Sequence, residues 1–328
     1  MIDLYPLKFR PVFKEKLWGG NKMKKVFGMD YSPLPNCGEA WVLSGYGSDI
    51  SVVTNGFLAE NQLDELIEIY MGDLVGEAVF EKHGTTFPLL IKILDANDWL
   101  SIQVHPGDEL AEARHKGSGK TEMWYVADAE PAAQLISGFN REINAEIYQA
   151  HLDNGTIKDL MHYESVKKGY VYFMPAGRVH AIGPGLLIFE IQQTSDLTYR
   201  IYDFDRVDDQ ENPRELHNDL AIDAIDFTQP ENVRTDYKSE FNKTVPVVES
   251  VYFNTSLIHF DKPVVKDYSG LDSFVILQCA EGKCAIEYEG GSEHLNAGEA
   301  LLIPAIMENI KLIPLIETRL LEIYCPQN

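Results

Sequence analysis

Basic residues are scarce in this chain. Twenty-eight Lys and Arg stand against 51 Asp and Glu, a formal charge of -23. A surface that acidic repels phosphate backbones, which argues against nucleic acid and against an anionic membrane as partners. If the substrate is itself an anion, the few basic side chains must be gathered locally to hold it. Cysteine is also rare. Cys37, Cys279, Cys284 and Cys325 are scattered, with no CxxC pair, so a disulfide framework is not expected and the thiols read as reduced ones in a cytoplasmic protein. Long apolar runs are missing: none approaches the ~18 residues that a membrane span needs. The opening MIDLYPLKFRPVF has no uninterrupted apolar core, so no signal peptide is expected.

What is present is ample core material. Hydrophobic residues make up 45% of 328 positions, enough for one large domain or two smaller ones. Short apolar runs punctuated by Pro and Gly read as strands: Leu7–Phe13, Ala40–Ser44, Ile50–Val53, Phe87–Leu94, Ala132–Ile136, Tyr170–Pro175, Leu186–Thr194 and Thr198–Phe204. Helical spacing of Leu63, Leu66, Ile67, Tyr70, Leu74 and Val75 predicts one or two amphipathic helices over Asn61–Lys82. Gly107–Lys116, Asn144–Leu152 and Asn212–Ile225 also read as helices. Residues 226–250 are polar and mixed, the best candidate for a linker. Beyond them, Val251–Phe260, Ser273–Gln278, Cys284–Tyr288, Ala300–Ile303, Asn309–Ile313 and Arg319–Tyr324 read as short strands with turns between. The expectation is a mainly β protein of two jelly-roll barrels with helical insertions in the N-terminal half. A domain of residues 1–240 would carry the chemistry, and a smaller one, 245–328, would hold no metal.

The chemistry-bearing stretch is Trp99–Tyr125. Leu100–His105 alternates, so as a strand it sets Ser101, Gln103 and His105 on one face and Leu100, Ile102 and Val104 on the other. Lys120 and Glu122 share a face in the same way. A faint repeat adds a fourth group. Gly169–His180 has the form G-x5-P-x-G-x2-H, and Gly298–Asn309 keeps the Gly and Pro spacing but ends without an imidazole. A strand ended by Pro and a tight turn sends the next side chain back inward, which in the first copy is His180. Two imidazoles, a carboxylate and an amide oxygen (Gln103, His105, Glu122 and His180) suit Zn²⁺ with an open position. Two His and one carboxylate also suit Fe²⁺. A plainer arrangement remains open, in which Gln103 and His105 are hydrogen-bonded at a strand end and Glu122 pairs with Lys120.

Five segments carry a resemblance. Gly38-Glu39-Ala40-Trp41, Leu100–Pro106, Gly119-Lys120-Thr121-Glu122, the run ending at His180, and Glu190–Arg200 occur in the order seen in class I mannose-6-phosphate isomerases of the short bacterial kind, zinc-dependent members of the cupin superfamily. The match spans most of residues 1–220, and the C-terminal third resembles the family only in its β pattern. The resemblance implies one Zn²⁺ per chain on Gln103, His105, Glu122 and His180. It also implies interconversion of mannose 6-phosphate and fructose 6-phosphate through a cis-enediol, by a monomer or weak homodimer acting on a small sugar phosphate. By the same analogy Arg200 lies in the active site, where a fixed cation stabilises enediolate charge. Asp196 is then a candidate for ring opening, Lys120 and Glu190 for proton transfer, and Ser101 for substrate contact.

Each assignment has a competitor. Arg200 can pair with Asp203 or Asp205 at a strand end, and Lys120 after Gly-Ser-Gly can be plain loop charge. Trp18, Trp41, Trp99 and Trp124 read as core or cavity wall. His83, His115, His151, His162, His217, His259 and His294 lack paired spacing and receive no role. Two other functions fit the same scaffold: a cupin Fe²⁺ dioxygenase using His105, Glu122 and His180, and a non-catalytic sugar-phosphate sensor.

Overall fold

The computed structural model describes residues 4–208 and 210–327. It is mainly β, with 40% of residues in strands and 16% in helices. Its contacts divide the chain into two units. One comprises Phe13–Glu39 and Ile93–Thr235. The other comprises the described residues of Met1–Val12, Ala40–Lys92 and Asp236–Asn328. The change at residue 236 falls within the polar stretch read as a linker. Residues 40–92 group with the C-terminal segment rather than with the rest of the N-terminal half.

The unit containing Ile93–Thr235 is built on two facing groups of strands. One sheet runs Met161–Ser165, Gln134–Phe139, His180–Ile182, Ile102–Val104, Tyr199–Tyr202. The other brings Val171–Met174, Glu122–Ala129 and Leu186–Gln193 side by side. Trp124, Val126, Tyr172 and Ile188 of the second pack with Leu135 and Ile182 of the first. The period of two then sends the alternate residues of the first sheet outward. Ile102, Val104, Ile136, Ala181, Tyr199 and Ile201 form a separate cluster with Tyr148 and Ala221. Those two belong to the helices Ala145–Asp153 and Asn218–Ala224, which cover the sheet's outer face. Residues Gln103, His180 and Arg200 alternate with these apolar positions and are left facing the other sheet.

The second unit repeats the strategy. One sheet runs Leu7–Lys8, Ala300–Ile303, Val275–Glu281, Thr318–Tyr324, Asn254–Phe260, Lys243–Glu249. The other runs Val264–Asp267, Asn309–Pro314, Lys283–Tyr288, Gly291–Asn296. Ile258, Val275, Leu277, Leu301 and Leu320 of the first pack with Ile286, Leu295, Ile310 and Leu312 of the second. Both halves of the faint repeat are strand–turn–strand units, Val171–Met174 to His180–Ile182 and Ala300–Ile303 to Asn309–Pro314. Gly169 and Gly298 open them with φ of 84° and 88°, a left-handed backbone that glycine adopts without penalty. Each of these sheets ends in edge strands and none closes on itself, so the layers here are stacked open sheets in place of the closed barrels expected.

The helical readings hold with two adjustments. Asn61–Lys82 becomes Leu63–Tyr70, Gly72–Val75 and Glu77–His83, broken at Met71 and Gly76. Asn212–Ile225 shortens to Asn218–Ala224. Pro213 bridges Val207 in extended pairing, so the chain before His217 runs across the sheet edge instead of coiling. Glu293 and His294 lie in the strand Gly291–Asn296.

Candidate active site

The site forms where the two facing sheets of the Ile93–Thr235 unit present polar residues to each other. On one sheet a row crosses three strands: His180 stands opposite Gln103, and Gln103 opposite Arg200. Partners across antiparallel strands share a face. On the other sheet Glu122 stands opposite Met174 and Gln192, and Trp124 opposite Tyr172 and Glu190. His105 follows the strand Ile102–Val104 directly, and Pro106 stops the ladder there.

His105, Glu122 and His180 converge. Their ligand atoms lie within 4.8 Å of one another, and all three residues are buried. His105 Nε2 is 3.5 Å from Glu122 Oε2, and His180 Nε2 is 3.5 Å from Glu122 Oε1. The other ring nitrogens are held by backbone. His105 Nδ1 lies 2.8 Å from the Leu197 carbonyl oxygen and His180 Nδ1 2.9 Å from that of Arg178. A carbonyl only accepts, so each Nδ1 carries the proton and each Nε2 presents its lone pair to the carboxylate. Burial pushes the His180 imidazole down to about 4, and the Lys120 ammonium adds to that against the bond to Arg178. The ring is therefore neutral at neutral pH, the form a metal requires.

Both oxygens of Glu122 are buried without a hydrogen-bond partner. A buried carboxylate facing two lone pairs is costly by itself, and a divalent cation between them satisfies all three groups. The residues therefore fit a metal ion.

Around this core the other expected residues take distinct positions. Gln103 Nε2 lies 3.3 Å from His180 Nε2, and its Oε1 accepts from the Ser101 hydroxyl at 3.1 Å. Ligation through the oxygen requires the amide to turn over, and Ser101 permits this because its hydroxyl both donates and accepts. Ser101 is buried and reaches the cluster through Gln103. Lys120, also buried, sets Nζ 3.4 Å from Glu122 Oε2, so it is not plain loop charge. Glu190 is buried and accepts from the Trp124 indole N–H at 3.0 Å. Trp124 in turn meets the His180 ring edge-on, with centroids 5.3 Å apart. Asp196 is exposed in the loop before Tyr199–Tyr202 and is not part of the His/Glu/His group.

Arg200 does not pair with Asp203 or Asp205. Asp203 is taken by Arg206 and Arg214, with Arg214 Nε 2.7 Å from its Oδ2, and Asp205 accepts from the Tyr202 hydroxyl at 2.8 Å. Burial pushes the Arg200 guanidinium down from its ordinary value, and Arg214 and Arg206 add to it against Asp203. Three arginines thus gather between residues 200 and 214 of a strongly acidic chain. Arg200 donates from Nη1 to the Glu215 carbonyl at 2.7 Å, while its Nε is buried without a partner. Sequence reasoning missed two neighbours. Trp124 was read only as core or wall, yet it is the donor to Glu190. His217 received no role, and it bonds the Arg200 backbone. No spacing rule links positions 17 residues apart.

Fold and site together define a β-sheet enzyme scaffold with a buried, metal-ready triad flanked by fixed cations. Comparison with known proteins narrows this. Residues 6–140 match the model of the type I phosphomannose isomerase catalytic domain. The mannose-6-phosphate isomerase of Streptococcus mutans is 36% identical over 301 residues, 91% of this chain and 92% of that protein. The mannose-6-phosphate isomerase ManA of Bacillus subtilis is 39% identical over 252 residues, 76% of this chain and 78% of that one. The crystal structure of the mannose 6-phosphate isomerase from Bacillus subtilis superposes with a TM-score of 0.87 at 32% identity, covering 97% of this chain and 99% of the other. The chain belongs to the mannose-6-phosphate isomerase family and is an isomerase.

Proposed function

We propose that this isomerase interconverts mannose 6-phosphate and fructose 6-phosphate through a cis-enediol, with one Zn²⁺ held by Gln103, His105, Glu122 and His180. The observation that carries the reading is the Glu122 carboxylate, buried between two imidazole lone pairs with the Lys120 ammonium beside it. The bound ion supplies Lewis acidity toward the sugar oxygens or a held water. The chain's own residues do the rest. Arg200, with an unpartnered buried Nε, faces the same space as Gln103 and stabilises negative charge as it develops on the enediol oxygens. Lys120 and Glu190, both buried beside the cluster, are the groups placed to move a proton between C1 and C2. Asp196, exposed in the loop before Tyr199–Tyr202, is assigned to ring opening, and Ser101 orients Gln103 and contacts substrate.

Catalysis on this reading is confined to residues 1–240. We read the segment 245–328 as a smaller, jelly-roll-like β domain to which no metal is assigned, the metal group of this reading being His105, Glu122 and His180. The four thiols are all free and buried, which supports a cytoplasmic setting, and we take the working form to be a monomer or weak homodimer. Among the described residues no helix is long and apolar enough to cross a membrane.

A coupled assay of mannose 6-phosphate turnover, run before and after chelation and again after adding back Zn²⁺, tests the proposal. Metal-loaded protein with no activity on any hexose phosphate would overturn it. The Fe²⁺ dioxygenase reading leaves Lys120 and Arg200 without a task, and a sensor needs no proton carrier.

A further inference from the structure

We infer that His217 is a positioning residue for the reaction, holding Arg200 in the row that faces the metal group. This rests on the reading of Arg200 as the cation that stabilises the enediol oxygens.

The strand Tyr199–Tyr202 is the edge of its sheet, since the strand order ends there. Its inner ladder is irregular. Tyr199 pairs with Val104 and Arg200 with Gln103, but Tyr202 pairs with Ile102, so the register shifts between Arg200 and Tyr202. A shift of that kind leaves the edge backbone underdetermined by pairing alone. The outer side of Arg200 is instead closed by one residue. The Arg200 N–H donates to His217 Nδ1 at 3.0 Å, and the His217 N–H donates to the Arg200 carbonyl at 2.7 Å. The imidazole thus takes the place of the carbonyl that a neighbouring strand would offer. The Glu215 carbonyl, two residues earlier, accepts from Arg200 Nη1 at 2.7 Å. Backbone and guanidinium are held from the same segment.

That segment is itself fixed. His217 immediately precedes the helix Asn218–Ala224, whose Ala221 is buried in the cluster behind the sheet with Tyr199 and Ile201. The consequence for Arg200 is specific. With Nη1 bound and the backbone clamped, Nε is left as the buried donor without a partner, and its direction is set by the brace. A loosened brace lets the guanidinium wander, and displacements of about 1 Å at a reacting centre cost up to about a hundredfold in rate.

The test uses the full-length metal-loaded enzyme and five variants. His217→Ala is expected to lower kcat about ten- to a hundredfold with KM and metal content little changed, since a cation that acts on developing charge is felt in the transition state. His217→Asn places an amide oxygen where Nδ1 sits and is expected to restore turnover. His217→Gln, whose amide lies one bond further out, is not. The double variant Arg200→Ala/His217→Ala is expected to be no slower than Arg200→Ala alone, because both changes remove one device. If Arg200→Ala leaves kcat intact, the role given to Arg200 fails and this inference with it. If Arg200→Ala is slow but folded His217→Ala turns over normally, or the two losses multiply in the double variant, only the brace is overturned. Should His217→Ala not fold, equal turnover of the Asn and Gln variants overturns it.

Discussion

Lys120→Met is the most informative perturbation of the site outside the metal ligands. The substitution keeps an unbranched stem and removes the ammonium. Lys120 and Glu122 are both buried, 3.4 Å apart. Two unit charges at that separation attract by about 5 kcal/mol at an effective dielectric of about 20. Removing one partner of a buried pair leaves the other charge uncompensated, which typically costs about 3–5 kcal/mol. In metal-free protein nothing replaces the ammonium, because the facing imidazoles present lone pairs to the carboxylate. Chelator-treated Lys120→Met should therefore unfold earlier than chelator-treated wild type, by about 1–1.7 M urea if the slope is roughly 3 kcal/mol per molar. In metal-loaded protein the cation neutralises Glu122, so the gap should shrink clearly. The variant should also bind the metal more tightly than wild type, since a like charge has been removed from beside it. Tryptophan fluorescence in urea, with and without metal, measures the first effect, and chelator competition the second. Equal urea shifts in the two states, or a metal-free variant as stable as wild type, would refute this account of the pair. Turnover of the variant should fall by at least about a hundredfold if Lys120 carries the proton.

Three further outcomes follow from the same geometry. Burial pushes the Cys37 thiol up to about 11 and those of Cys284 and Cys325 up to about 12. Native protein at pH 8 should be silent to a disulfide reagent that titrates four thiols in urea; because unfolded thiols ionise near 9, stability from these groups is complete below that pH and declines as pH rises toward 11. Trp124→Phe keeps a ring against His180 but removes the donor to Glu190, and urea unfolding should register about 1.5–3 kcal/mol for a lost bond to a carboxylate, with a drop in kcat if Glu190 works as proposed. Ser101→Ala removes the hydroxyl that orients Gln103 and should weaken metal binding about 10–100-fold; unchanged affinity by chelator competition would take Gln103 out of the ligand set.

Much of this molecule is written in local pattern. Alternation over Ile102–His105 already set Gln103 on the face opposite Ile102 and Val104, because side chains in a strand have a period of two, and the Gly–Pro–Gly–His spacing already sent His180 inward. The apolar periodicities of Asn61–Lys82 and of the C-terminal strands carried their elements in the same way. Where local reading failed, a distant group decided. Leu100 turned to the inner cluster with Trp124 instead of joining Ile102 and Val104, because the strand starts only at Ile102. The segment 212–217 became an edge cover instead of a helix turn, since its partner is a strand edge that no local signal announces. Asp203 went to Arg206 and Arg214, leaving Arg200 for His217 and Glu215.

By itself, then, the order of residues determined which polar side chains stand at strand positions such as Gln103, Glu122 and His180 and which face of the strand they occupy, since that depends on chirality and pleat within a few residues. Only the tertiary structure decided which of them meet. Cross-strand register set His180 beside Gln103 and Gln103 beside Arg200, and sheet stacking brought Glu122 across to the two imidazoles. Such pairings join positions up to about a hundred residues apart, where contact is chosen by the packing of whole sheets and not by anything a short window of sequence contains.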